Sequence, residues 1–120
     1  MRILVVEDEV DVCNVTAAMI THLGHVAAKS YSAADAFQQL RNGNIDLLVT
    51  DICMPDMDGA ALVQLVVDDG LLPMKRTVAV TGLDAEDTLV HWMTARNVIV
   101  LFKPFSLSAL RWAIETATAD

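Results

Sequence analysis

The chain holds only two cysteines, Cys13 and Cys53, too few for a disulfide framework. They read as reduced thiols, and the expected location is cytoplasmic. Aromatic residues make up 5% of the sequence, so a core must be aliphatic. Basic residues are scarce as well: eight stand against sixteen acidic ones, for a formal net charge of −8. Such a domain repels phosphate backbones, which argues against direct nucleic-acid binding. No apolar run approaches the roughly 18 residues of a membrane helix, so no membrane role is expected. The opening apolar run Ile3–Val6 stops at Glu7 and is too short for a secretion signal. No glycine-rich loop ends in Lys-Ser or Lys-Thr, which argues against a P-loop nucleotide switch. Linkers, repeats and low-complexity stretches are also missing.

What is present is a 54% hydrophobic chain of 120 residues, enough for one ordinary core and one domain spanning residues 1–120. Short apolar runs alternate with longer helical patterns. Strands are expected at Ile3–Val6, His25–Lys29, Ile45–Thr50, Thr77–Val80 and Val98–Leu101. The spacing predicts helices over 9–23, from the Ser32 cap to about Arg41, over 60–68, from an Asp84 cap to about Arg96, and from a Ser106 cap to about Thr118. Core stripes are read at Val10, Cys13, Ala17, Ile20 and Leu23 in the first helix. In the third they fall at Leu62, Leu65 and Val66, and in the last at Leu107, Leu110, Ile114 and Ala117. Gly24 and Asn97 suit left-handed positions after helices. Nearly uninterrupted apolar strands are those of a parallel sheet covered on both faces. Five strands alternating with five helices give an α/β, doubly wound parallel sheet, with the flavodoxin-like order 2-1-3-4-5.

Such sheets bind ligands beyond the carboxyl ends of their strands. Glu7 and Asp8 follow the first strand, Asp51 ends the third, Thr81 ends the fourth and Lys103 follows the fifth. Three converging carboxylates repel one another, and a divalent cation relieves that repulsion. All-oxygen ligation points to Mg2+, with Mn2+ as a substitute. A carboxylate can also act as a nucleophile and form an aspartyl phosphate. Taken singly, each motif has a plain structural reading as a helix start, a turn or a surface loop. Their occurrence together at four strand ends is harder to assign to chance.

With Glu7-Asp8, the segment Asp51–Gly59, Thr81-Gly82 and Lys103-Pro104-Phe105 in this order, the chain resembles the receiver domains of bacterial two-component response regulators, over essentially its whole length. The resemblance implies that Asp51 accepts a phosphoryl group from a phosphohistidine on a sensor histidine kinase or histidine phosphotransfer protein. It implies direct Mg2+ ligation by Asp8, Asp51 and the Cys53 backbone carbonyl, with Glu7 acting through water. Lys103, preceding a cis proline bond, would pair with the phosphoryl oxygens, and Thr81 would move to hydrogen-bond them. The domain would then be a switch and not a turnover enzyme. Its partner face would be helix 4, strand 5 and helix 5, used for a downstream target, an output domain or a homodimer. Met1 directly before the first strand suits a natural start. Either a single-domain receiver or an input domain cut at Asp120 would fit.

One departure concerns the switch. Receivers usually carry Tyr or Phe where this chain has Val100, and a valine cannot swing a ring. Phe102 shares the strand face of Val100 and is read first as core, second as a substitute ring. Leu89 and Trp92 share the edge of the fourth helix, and Trp112 lies off the core stripe of the last. Partly exposed, the tryptophans would be partner anchors; otherwise they are edge packing. Cys53 would border the site, and acidic surroundings should raise its pKa and blunt its reactivity. The alternative reading is a degenerate receiver that binds proteins without phosphorylation. A dehalogenase-like phosphatase is disfavoured, because Cys53 stands where those enzymes generally carry a second Asp.

Overall fold

The computed structural model describes residues 1–119; Asp120, the far boundary of the expected domain, lies outside them. Five strands run in chain order: β1 (Arg2–Val6), β2 (Val26–Ser30), β3 (Leu47–Asp51), β4 (Thr77–Thr81) and β5 (Ile99–Phe102). They alternate with α1 (Val10–His22), α2 (Ala33–Arg41), α3 (Gly59–Asp68), α4 (Thr88–Ala95) and α5 (Leu107–Thr118), and a 3-10 turn at Met74–Arg76 precedes β4. All pairings are parallel, in the order β2-β1-β3-β4-β5. This is the doubly wound, flavodoxin-like sheet expected from the alternation.

Strand side chains alternate between two apolar layers, as the twofold strand period requires. Ile3, Val5, Leu47, Val49, Val78 and Val80 face α1 and α5, against Cys13, Ile20, Leu110 and Ile114. Leu4, Val6 and Leu48 face α2 and α3, against Ala36, Leu40, Leu62 and Val66. A third cluster joins Val63 of α3 to Val90 and Met93 of α4. These buried, mostly aliphatic side chains, at about 1.5–3 kcal/mol for each Val, Leu, Ile or Met, are the main favourable contribution to folding.

Several boundaries and faces differ from the sequence reading. Asp84 does not cap α4; it accepts the Glu86 N–H in a preceding turn. The cap is Asp87, which accepts from Leu89 N–H, so the helix starts later than expected. Both are acids ahead of an apolar stretch, and the local pattern alone does not choose between them. β2 leaves out His25, and β3 leaves out Ile45. Val10 is exposed, and Thr16 joins Cys13, Ala17 and Ile20 on the buried stripe instead. Leu65 and Leu107 are only half-buried, and Ala113 takes a core position on α5. Phe102 is 43% exposed and is not core. It ends β5, an edge strand of the sheet. The expected left-handed positions are present: Gly24 has φ +95° and Asn97 has φ +60°.

Candidate functional site

β1 and β3 are neighbours at the centre of the sheet, in register Val6 with Thr50. Their carboxyl ends therefore deliver Glu7, Asp8 and Asp51 to one place. One carboxylate oxygen from each of the three lies within 4.8 Å of the other two. Glu7 and Asp51 are buried, and Asp8 is half-buried. The Lys103 N–H donates to the Thr81 carbonyl at 2.7 Å, which anchors the segment after β5 beside β4. The Lys103–Pro104 bond is cis. From there the Lys103 ammonium reaches back to Glu7 Oε1 and, at 3.2 Å, to Asp51 Oδ2.

The electrostatics are unbalanced. One ammonium faces three carboxylates. Burial raises the Glu7 carboxyl to about 7, and the neighbouring Asp51 adds to this against the pull of Lys103. For Lys103, burial acts to lower the pKa, but the Glu7 hydrogen bond and the Asp51 charge outweigh it and hold it above its ordinary value. Glu7 Oε2 is buried and has no hydrogen-bond partner. An orphaned buried oxygen is costly unless something satisfies it. A hard divalent cation with its waters fits this all-oxygen donor set.

Asp51 is held in a defined orientation. Its Oδ1 accepts the Cys53 N–H at 3.1 Å, while Oδ2 faces Lys103. The loop after it closes tightly: Gly59 N–H donates to the Ile52 carbonyl at 2.6 Å. A Cβ on Gly59 would lie 2.8 Å from the Ile52 Cα, so only glycine permits this approach. Cys53 itself is exposed, and burial of its Sγ, followed by the charge of Asp51, pushes the thiol pKa up. Thr81 is fully buried, and its Oγ1 accepts the Leu83 N–H at 2.9 Å, so the hydroxyl is engaged in the turn leading towards α4.

The sequence-predicted residues thus divide. Glu7, Asp8, Asp51 and Lys103 meet directly, Thr81 ends the adjacent strand, and Cys53 lies at the rim. On the expected partner face, Trp112 is 57% exposed. Trp92 is half-buried beneath Arg96, whose guanidinium carbon sits 3.9 Å from the ring centroid. Leu89 and Val100 are partly buried against the α3–α4 cluster. Two residues escaped the sequence reading. Gly59 was legible only as part of a turn, and Asp56, whose carboxylate reaches the start of α2, carried no local signal of that pairing. Beside the site, α1 and the segment Lys103–Phe105 enclose an apolar groove of about 500 Å3, with Val12, Val15 and Met19 on its wall.

A doubly wound sheet with this acidic pocket and lysine at its switch point defines a CheY-like signalling fold. The chain belongs to the response regulator receiver domain family, whose model matches residues 3–115. Transcriptional regulatory protein ZraR of Salmonella typhimurium is 32% identical over 117 residues, covering 98% of this chain and 26% of that protein. The chain therefore spans about a quarter of that relative's length. Chemotaxis protein CheY of Pseudomonas aeruginosa is 30% identical, with 96% of this chain and 94% of that one covered. The solved structure of FixJ-N superposes with a TM-score of 0.85 at 26% identity, over 97% of this chain and 91% of that one. Receiver domains are phosphorylation-regulated signalling switches of two-component systems. Among the described residues, no helix is long and apolar enough to cross a membrane.

Proposed function

We propose that this receiver accepts a phosphoryl group on Asp51 from a phosphohistidine of a sensor kinase or histidine phosphotransfer protein. The observation that carries this reading is the orientation of Asp51, with Lys103 on Oδ2 and the Cys53 amide on Oδ1, inside a cluster short of positive charge. In the reaction a carboxylate oxygen attacks phosphorus, the P–N bond breaks, and the imidazole leaves as a neutral ring after taking up a proton. Asp8, Asp51 and the Cys53 carbonyl would hold Mg2+, or Mn2+ in its place, with Glu7 bonding through water. Bound there, the cation would neutralise phosphoryl oxygens and balance the carboxylates. Lys103 would contribute the fixed positive charge opposite. The apolar groove beside Lys103 offers a landing surface for the donor protein.

The hydroxyl of Thr81 supplies the response. Turning it towards a phosphoryl group gives up the Leu83 N–H bond, which loosens the turn before α4. The change would shift a pre-existing equilibrium of the α4–β5–α5 face. With valine at position 100, the exposed rings on that face are Phe102 and Trp112, and these would meet a target, an output domain or a second copy. The domain would act in the cytoplasm as one unit over residues 1–120 and would turn over no external substrate.

The test is intact mass after incubation with acetyl phosphate and Mg2+. One phosphoryl adduct is expected, absent in Asp51→Asn and without metal. An unmodified wild-type protein that also fails to bind beryllofluoride would leave only phosphorylation-independent binding.

A further inference from the structure

Helix α2 starts between the two loops that carry the acidic residues. The Ser32 side chain accepts the Asp35 N–H at 3.1 Å, as an N-cap does. The N–H groups of Ala33 and Ala34, which have no partner within the helix, go to Asp56 instead, at 3.2 Å to Oδ1 and 3.1 Å to Oδ2. One carboxylate from another loop therefore grips the first turn of α2 through both oxygens. Met54 and Met57, on either side of it, pack into the same apolar cluster as Ala33 and Ala36.

The same helix start is tied to the other side of the site. Glu7 N–H donates to the Ser30 carbonyl at 3.0 Å, and Ser30 Oγ donates to the Ser32 carbonyl at 2.9 Å. Residues 7, 30 and 32 thus lead from β1 to α2, and Asp56 leads from α2 into the loop that holds Cys53. The far end of that loop is closed by the Gly59–Ile52 hydrogen bond.

We propose that Asp56 is a positioning residue for the cation site: by clamping loop 52–58 to the first turn of α2, it fixes the distance between the Cys53 backbone carbonyl and the carboxylates of Glu7 and Asp8. This inference rests on the metal-site reading given above. Without the clamp, part of the cation's binding free energy goes into ordering the loop, and affinity falls. Groups that orient a metal's ligands without touching the ion are commonly worth about tenfold in affinity or more.

The experiment is a Mg2+ titration, followed by amide chemical shifts, on wild type, Asp56→Ala, Asp56→Asn and Ser32→Ala, with thermal melts in chelator alongside. The expected result is a Kd raised about tenfold in Asp56→Ala and less in Asp56→Asn, with saturating Mg2+ restoring the wild-type spectrum near Cys53. Ser32→Ala weakens the same helix end but leaves the Asp56 contacts, so it should melt earlier and keep the wild-type Kd. An unchanged Kd in Asp56→Ala would reduce the residue to a helix cap and overturn the proposal. So would an equal rise in Ser32→Ala. Should Asp56→Ala fail to fold, Asp56→Asn decides the question by the same criterion. Wild type that binds no Mg2+ would overturn the metal-site reading itself, before any variant is compared.

Discussion

Lys103 Nζ lies 3.2 Å from Asp51 Oδ2, joining two strand ends separated by 52 residues of sequence. The same ammonium also bonds Glu7. One cation is thus divided between two buried acids, while Asp8 stands beside them without it. This arrangement is stable enough to fold but leaves uncompensated negative charge, which is what a cation site needs before its ion arrives.

Mg2+ should therefore stabilise the fold. Binding only to the folded state at a hundredfold excess over Kd contributes about 2.7 kcal/mol. Thermal melts with and without Mg2+ should separate accordingly, and Asp8→Asn should bring the two curves together. An Asp8→Asn protein that gains as much from Mg2+ as wild type would remove Asp8 from the ligand set.

Cys53 is exposed yet should alkylate slowly at neutral pH, since burial of the sulfur and the Asp51 charge both disfavour the thiolate. Asp51→Asn removes the second cause and leaves the first. Alkylation of Cys53, followed by mass, should quicken in that variant without reaching the rate of a free thiol. The buried Cys13 should remain unmodified while the fold is intact.

Gly59→Ala places a methyl 2.8 Å from the Ile52 Cα, where backbone and not a flexible side chain must yield. A cost of about 1–3 kcal/mol is expected from the strain. Urea unfolding measures it, and a neutral result would show that the 52–58 loop shifts freely.

The two apolar residues Leu110 and Phe102 should behave oppositely. Leu110 is fully buried between α5 and the sheet, so Leu110→Ala should cost about 2–5 kcal/mol. Phe102 is 43% exposed, and Phe102→Ala should change stability by about 1 kcal/mol or less. The loss in Phe102→Ala should instead appear in self-association or target binding of the phosphorylated protein, read by analytical ultracentrifugation or titration.

Asp56 gives a pH signature. The Ala34 N–H first, and the Ala33 N–H next, hold its carboxyl below the ordinary 3.8. The folded state therefore binds this proton less readily than the unfolded chain. Its contribution is complete above about 3.8 and is lost as pH falls through the lower folded value. Measured in chelator, the stability gap between wild type and Asp56→Asn should be open at neutral pH and close in strong acid. A gap that persists below the folded value would mean that the contacts do not depend on the charge.

Much of the fold was legible because its signals are local. The apolar runs at Ile3–Val6 and Val98–Leu101 and the caps at Ser32 and Ser106 depend on near neighbours in the chain, and so did the choice of a parallel, two-sided sheet. The convergence of Glu7, Asp8, Asp51 and Lys103 was legible too, because strand order at a switch point follows from the alternation of strands and helices. What depended on distance was not. Asp84 and Asp87 look alike as caps until the length of the preceding turn is known. Phe102 reads as core until it is seen to end an edge strand with its ring in water. Asp56 is one more loop acid in sequence, and its grip on Ala33 and Ala34 exists only because packing sets two loops side by side. The sequence by itself determined most of the elements, the sheet and the acidic and basic groups that converge at its carboxyl edge, since these follow from periodicity and chemistry along the chain. Only the tertiary structure decided which acid shares the lysine, which ring stays in water and which loop clamps which helix, because those are contacts between segments that no local pattern specifies.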